Sequence, residues 1–214
     1  MYGNAPKDLG LIDLSPTEMM FWLYCPIKTP GHWAETVPEN LKQFEPLVEA
    51  VFNDISSDSV LRWRDSYVYL TAKRIFASPG APGNRLGWHA DGFGTNDLNY
   101  IWYDANPTIF WVPQKPVSLS KDHTVSMTEM AWWASRPPGF QRRYTNKHLL
   151  RLDSSVIHAV EPDVKTGMRT FVKVSVSEKP YALEGNSVNH KLGLNWTYAP
   201  RAVERNCPIK GTAA

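Results

Sequence analysis

Tyr67-Val68-Tyr69-Leu70-Thr71-Ala72-Lys73-Arg74-Ile75-Phe76, followed closely by Pro79-Gly80-Ala81-Pro82-Gly83, sets the grammar of the chain. Aromatic and β-branched residues fill the first part at a period near two, and the Pro/Gly run after it is a turn, so the segment reads as a strand. The pattern recurs downstream. Gly87 to Asp91, Tyr100 to Tyr103 and Thr108 to Val112 read as short strands, punctuated by Gly92, Gly94 and Asn106-Pro107. Lys147 to Leu152, Ser155 to Glu161 and Met168 to Ser177 follow. In the last of these, Arg169, Phe171, Lys173 and Ser175 alternate with Thr170, Val172, Val174 and Val176, which gives one polar-bearing face and one apolar face. Val117 to Gly139 admits two readings, a helix capped at Ser126-Met127-Thr128-Glu129 or a loop.

Upstream the period lengthens. Ser15-Pro16-Thr17-Glu18 reads as a capping box with Pro at the first helical position, opening onto Met19, Met20, Phe21 and Leu23, and predicts a helix, although a buried strand has a similar composition. Between Pro38 and Ile55, the residues Leu41, Phe44, Leu47, Val48, Val51 and Phe52 recur at helical spacing, with Pro46 starting a second turn or kinking the first. The tail from Gly185 is polar and aperiodic. Helices first and then about eight short strands predict a mainly β fold, a β-sandwich or closed jelly roll with an N-terminal helical buttress. No repeat or linker divides it, so one domain over 1–214 is expected, with a barrel core at roughly 66–178.

Of the 214 residues, 43% are hydrophobic and 21% charged, which excludes a disordered or low-complexity protein. The net charge of +2 is too small to hold a polyanion by its field alone. The longest apolar run, Met19 to Cys25, falls far short of the roughly 20 residues that span a bilayer. No charged-then-apolar leader opens the chain, so a soluble, cytoplasmic protein without membrane attachment is expected. Two cysteines, Cys25 and Cys207, make neither a disulfide framework nor a thiolate metal cage. A metal here must use histidine and carboxylate.

His89 and Asp91 lie two residues apart, a spacing that puts both on one face of a strand. Alone, the pair reads first as a hydrogen-bonded surface feature of a strand. His158, on a late strand, completes two imidazoles and one carboxylate, the facial triad of non-haem Fe(II) oxygenases. Arg85-Leu86-Gly87-Trp88-His89-Ala90-Asp91, with His158-Ala159-Val160-Glu161-Pro162 running through Gly167 to Arg169, resembles the Fe(II)/2-oxoglutarate-dependent dioxygenases, and the prolyl-hydroxylase-like branch most. The strand pair Tyr100-Ile101-Trp102-Tyr103-Asp104 and Asn106-Pro107-Thr108-Ile109-Phe110 strengthens the likeness, which extends over Tyr67 to Ser177.

The resemblance implies a double-stranded β-helix. It further implies that His89, Asp91 and His158 hold Fe(II), that Arg169 holds the distal carboxylate of 2-oxoglutarate, and that O2 oxidises a substrate with release of succinate and carbon dioxide. Arginine suits that task because its planar fork grips a carboxylate by two parallel bonds. Many relatives place Ser two residues after the Arg. This chain has Phe171, which leaves Tyr103 or Tyr100 as candidates for the second donor. A small-molecule substrate is the first expectation. A protein or nucleic acid remains open, the latter through base stacking on some of the nine tryptophans, with Arg142-Arg143 as only a short basic pair. His32, His123, His148 and His190 read as surface or loop residues. The alternatives are a cupin-like metalloenzyme that does not use 2-oxoglutarate and a non-catalytic ligand-binding jelly roll.

Overall fold

A computed structural model describes residues 1–136 and 140–201. Cys207 and the end of the Val117 to Gly139 stretch lie outside the described residues. Among the described residues nine strands dominate: β1 (Lys7–Leu11), β2 (Met20–Lys28), β3 (Tyr67–Ala77), β4 (Leu98–Tyr103), β5 (Thr108–Trp111), β6 (Gln141–Arg143), β7 (His148–Leu152), β8 (His158–Val160) and β9 (Gly167–Ser177). They form two antiparallel sheets, one of six strands in the order β1-β7-β4-β9-β3-β2 and one of three in the order β6-β5-β8. The architecture is a mainly β jelly roll.

The large sheet has two differently used faces. Val172, Val174 and Val176 of β9, with Val68, Leu70 and Ala72 of β3 and Tyr100 and Trp102 of β4, join one apolar core. The same core takes in Leu47, Val48, Val51, Ile55 and Trp63 of the helix α1 (Glu45–Asp65). Burying such a side chain contributes about 1.5–3 kcal/mol, so this face anchors the fold. Ile101 and Tyr103 of β4, Leu150 and Leu152 of β7 and Phe171 of β9 point the other way, where they meet Phe110 of the small sheet. The alternation predicted for Met168 to Ser177 is the division observed.

A 3-10 turn at Glu39–Phe44 leads into α1, whose first turn holds Pro46, and the helix runs past Ile55 to Asp65 with a break at Ser59. The helix expected from Ser15-Pro16-Thr17-Glu18 does not form. Met20 to Lys28 is instead an edge strand paired only with β3. Pro26 fits there because an edge strand can dispense with an N–H. Among the described residues the middle stretch holds a helix, α2 (His123–Ala134), capped by Asp122 and not by Ser126. The Asp122 carboxylate accepts from the Thr124 and Val125 amides at 2.8 and 3.0 Å. The strand expected over Gly87 to Asp91 shrinks to a single bridge at His89. Of Ser155 to Glu161 only β8 is regular.

Candidate metal centre

Backbone pairing brings the two histidine segments together. The His89 amide donates to the His158 carbonyl at 3.0 Å, and the His158 amide returns the bond to His89 at 2.9 Å. His158 is fixed in turn by β5, where it stands opposite Phe110. The two imidazole centroids lie 4.4 Å apart. Ligand atoms of His89, Asp91 and His158 all fall within 4.8 Å of one another. Asp91 arrives from the turn after the bridge, and its Oδ2 lies 3.8 Å from His158 Nε2.

The rings are also oriented. His89 Nδ1 lies 2.9 Å from the Gly87 carbonyl, and His158 Nδ1 lies 3.1 Å from that of Val156. A carbonyl only accepts, so each Nδ1 carries the proton and each Nε2 keeps its lone pair for a ligand. Such outer bonds fix tautomer and ring angle in histidine metal sites. Burial, then the neighbouring His158, lowers the His89 pKa to about 3. Burial also lowers that of His158, against the opposing pull of Asp91. Burial raises the Asp91 carboxyl, but Lys173 and the two histidines outweigh it and hold the group below the usual carboxylate range. All three side chains therefore sit in their ligating protonation state near neutral pH.

Lys173 of β9 is the nearest cation. Its Nζ lies 3.1 Å from Asp91 Oδ2 and donates to the Tyr24 hydroxyl at 2.9 Å, with the Tyr24 ring centroid at 4.8 Å. Tyr24 holds a left-handed φ of 45° at an irregularity in β2, and its amide donates to Thr71 Oγ1 at 2.9 Å. For a tyrosine that conformation is strained, and such residues cluster at ligand sites.

Two cavities meet here. One, of about 220 Å³, is lined by the triad with Tyr24, Lys73, Phe171 and Lys173 among others. The other, of about 360 Å³, shares Tyr24, Arg85, Asp91, Lys173 and Arg201 with it and adds Phe93 and Tyr181. Arg169 shares the lumen face of β9 but does not line either cavity. Its Nε donates to the Ala105 and Asn106 carbonyls at 3.0 and 3.2 Å, and its guanidinium lies 5.2 Å from the Phe171 ring centroid.

Neither tyrosine expected as a second donor lines these cavities. Tyr100 points to the opposite face of the sheet, where its hydroxyl donates to Asp54 at 2.8 Å, because even-numbered positions of β4 face α1. Tyr103 lies on the lumen side, but its hydroxyl donates to the Tyr144 carbonyl at 3.4 Å. His32, His148 and His190 lie away from the triad, whereas His123 lines the second cavity. Lys73 and Lys173 were unassigned by sequence, although the alternation of β3 and β9 carried the signal that both face the lumen.

The chain matches no family model and no curated protein. Solved structures similar in fold include EvdO2 from Micromonospora carbonacea var. aurantiaca, with a TM-score of 0.39, 13% identity and coverage of 66% of each chain. A 2OG-Fe(II) oxygenase family oxidoreductase from Burkholderia pseudomallei gives 0.40 and 11%, covering 82% of this chain and 74% of that one. HygX from Streptomyces hygroscopicus, solved with nickel and 2-oxoglutarate bound, gives 0.39 and 11%, covering 76% and 72%. Among the described residues, no helix is long and apolar enough to cross a membrane.

Proposed function

We propose that this chain is an Fe(II)- and 2-oxoglutarate-dependent oxygenase acting on a small organic molecule. One observation carries the reading: two imidazoles tied through Nδ1 to backbone carbonyls keep both Nε2 atoms for a ligand, and they meet the Asp91 carboxylate in the wall of the smaller cavity, which all three residues line. Nitrogen and oxygen donors without thiolate suit ferrous iron, and three protein ligands leave open positions. His89, Asp91 and His158 would hold the metal, which would supply oxygen activation coupled to decarboxylation of 2-oxoglutarate.

The chain's own residues do the rest. Lys173, itself held by the Tyr24 hydroxyl, donates to Asp91 Oδ2 and so fixes the carboxylate beside the two imidazoles. Phe110 packs near His158, and Phe171 lines the smaller cavity, which keeps its inner wall dry. A dry wall limits stray chemistry by water. The smaller cavity would take the cosubstrate and the larger, aromatic one the substrate. The family resemblance would give the cosubstrate's far carboxylate to Arg169, which faces the lumen but lines neither cavity. We further place the protein in the cytoplasm, with residues 1–214 forming one domain.

The test is an anaerobic titration. Iron-loaded protein mixed with 2-oxoglutarate should develop a weak visible charge-transfer band that neither component gives alone, and His158→Ala should abolish it. A folded, iron-loaded sample that shows no band refutes the reading in favour of a metalloenzyme that does not use 2-oxoglutarate. Substrate class is then sought by screening small molecules for coupled succinate release.

A further inference from the structure

Within the proposed reading, on which this step rests, the far carboxylate of 2-oxoglutarate needs a cation at the cavity wall. Lys73 stands there. It occupies the lumen face of β3 directly opposite Phe171 of β9, and its Nζ lies 5.3 Å from the Phe171 ring centroid. Thr71, the next residue on that face towards the triad, is paired with Lys173. Lys73 is therefore the diagonal neighbour, about 7–8 Å away, of the lysine that touches Asp91. Arg169 pairs with Ile75 and is two repeats away along the same face, behind Phe171.

The surroundings of Lys73 fit a receptor for an anion. Its Nζ donates to the Gly83 carbonyl at 2.6 Å and to the Asn84 side-chain oxygen. An ammonium has three protons, so one remains for a ligand. Among the described residues no carboxylate lies within 4 Å of Lys73, and none lies within 4 Å of Arg169. A cation in a half-closed wall without an anionic partner is costly until an anion arrives. Burial first, then the charges of Lys173 and Arg169, pulls the Lys73 ammonium down to about 7 against the opposing pull of Asp91.

We propose that Lys73, and not Arg169, makes the charged contact to the distal carboxylate of 2-oxoglutarate in this chain. Phe171 stands where a hydroxyl would bridge an arginine to the ligand, and its ring separates Arg169 from the space that Lys73 enters. Arg169 then serves the scaffold, pinning the Ala105 and Asn106 carbonyls.

The experiment compares 2-oxoglutarate with pyruvate, a 2-oxo acid that lacks the distal carboxylate. Each is titrated anaerobically into iron-loaded wild type, Lys73→Met and Arg169→Met, and the charge-transfer band gives the dissociation constants. Cobalt(II) titrations report metal affinity separately. Wild type should prefer 2-oxoglutarate by tenfold or more. Lys73→Met should lose most of that preference with cobalt affinity within threefold of wild type, and Arg169→Met should keep it. Lys73→Gln, which retains a donor to Gly83, replaces the Met variant if that one does not fold. A preference retained in Lys73→Met, or lost in Arg169→Met alone, overturns the assignment and leaves the oxygenase reading standing. A wild type that binds cobalt but gives no band with 2-oxoglutarate overturns both.

Discussion

Replacing Asp54 with alanine should unfold the protein more easily by about 3 kcal/mol, and a second substitution shows why. Asp54 sits on α1 with its side chain 5% exposed and accepts three bonds: from Lys7 of β1 at 2.6 Å, from the Tyr100 hydroxyl of β4 at 2.8 Å and from Arg151 of β7 at 2.9 Å. The helix is thereby tied to three strands of the large sheet. On truncation Lys7, which is half exposed, returns to water at a cost of about 0–1 kcal/mol. Arg151 keeps Asp58 at 2.9 Å. The fully buried Tyr100 hydroxyl is left without an acceptor, which costs about 1–3 kcal/mol. Tyr100→Phe should cost about 1 kcal/mol in the wild type and nothing, or a slight gain, in the Asp54→Ala background.

Urea unfolding of the four proteins, with the slope m unchanged, measures this cycle. A loss below 1 kcal/mol for Asp54→Ala, or an equal cost of Tyr100→Phe in both backgrounds, would refute the network account. Acid adds a check on sign. Burial raises the Asp54 carboxyl, but bonds from Lys7, Arg151 and Tyr100 outweigh it and leave the group below its ordinary value. Its contribution is therefore present above the unfolded carboxylate range near 4 and disappears as pH falls through the folded value. Asp54→Ala should flatten the acid side of the stability curve.

Metal uptake should vary little with pH. With His89 near 3 and the other two ligands lowered, cobalt(II) affinity measured by visible absorption should fall less between pH 7.5 and 5.5 than it would for two imidazoles of ordinary pKa, and a fall as steep as two ordinary imidazoles give would refute this. Gly83→Ala should lower the melting temperature, since Gly83 has φ +78°, a left-handed conformation that strains an L side chain, and an added Cβ would crowd the Ile75 side chain. The cost is about 1–3 kcal/mol, and an unchanged calorimetric midpoint would contradict it. Cys25 is buried and its thiol is pushed up to about 12, so in a Cys207→Ser protein a thiol reagent should label it only on addition of denaturant. Rapid labelling of the native protein would show the β2 edge to be open.

The long strands were legible because their side chains alternate between two environments, as Met168 to Ser177 does. The triad was legible because its residue types are chemically restrictive. Local signals misled where pairing decided the outcome: the capping box at Ser15 lost to the β2–β3 ladder, which satisfies the backbone of Met20 to Lys28 better than an isolated turn could. β1 and β6 escaped notice because an edge strand needs little apolar content, and Gln141-Arg142-Arg143 has none. Tyr100 was misplaced for want of phase: with Tyr103 it lies on the same strand, but an odd spacing sends the two to opposite faces. The retreat of Arg169 behind Phe171 depends on side-chain packing across β3 and β9, which no linear pattern records.

The two-sided β9 has a consequence for how this protein can change over generations. It is hydrogen-bonded to β3 on one side and β4 on the other. Losing a single residue from its middle would turn the valines outward and drive lysine and arginine into oil. Point substitutions can retune one side and leave the other untouched, whereas length changes strike both at once. Variation among natural homologues of this strand should accordingly accumulate as replacements, with insertions and deletions confined to the turns at its ends.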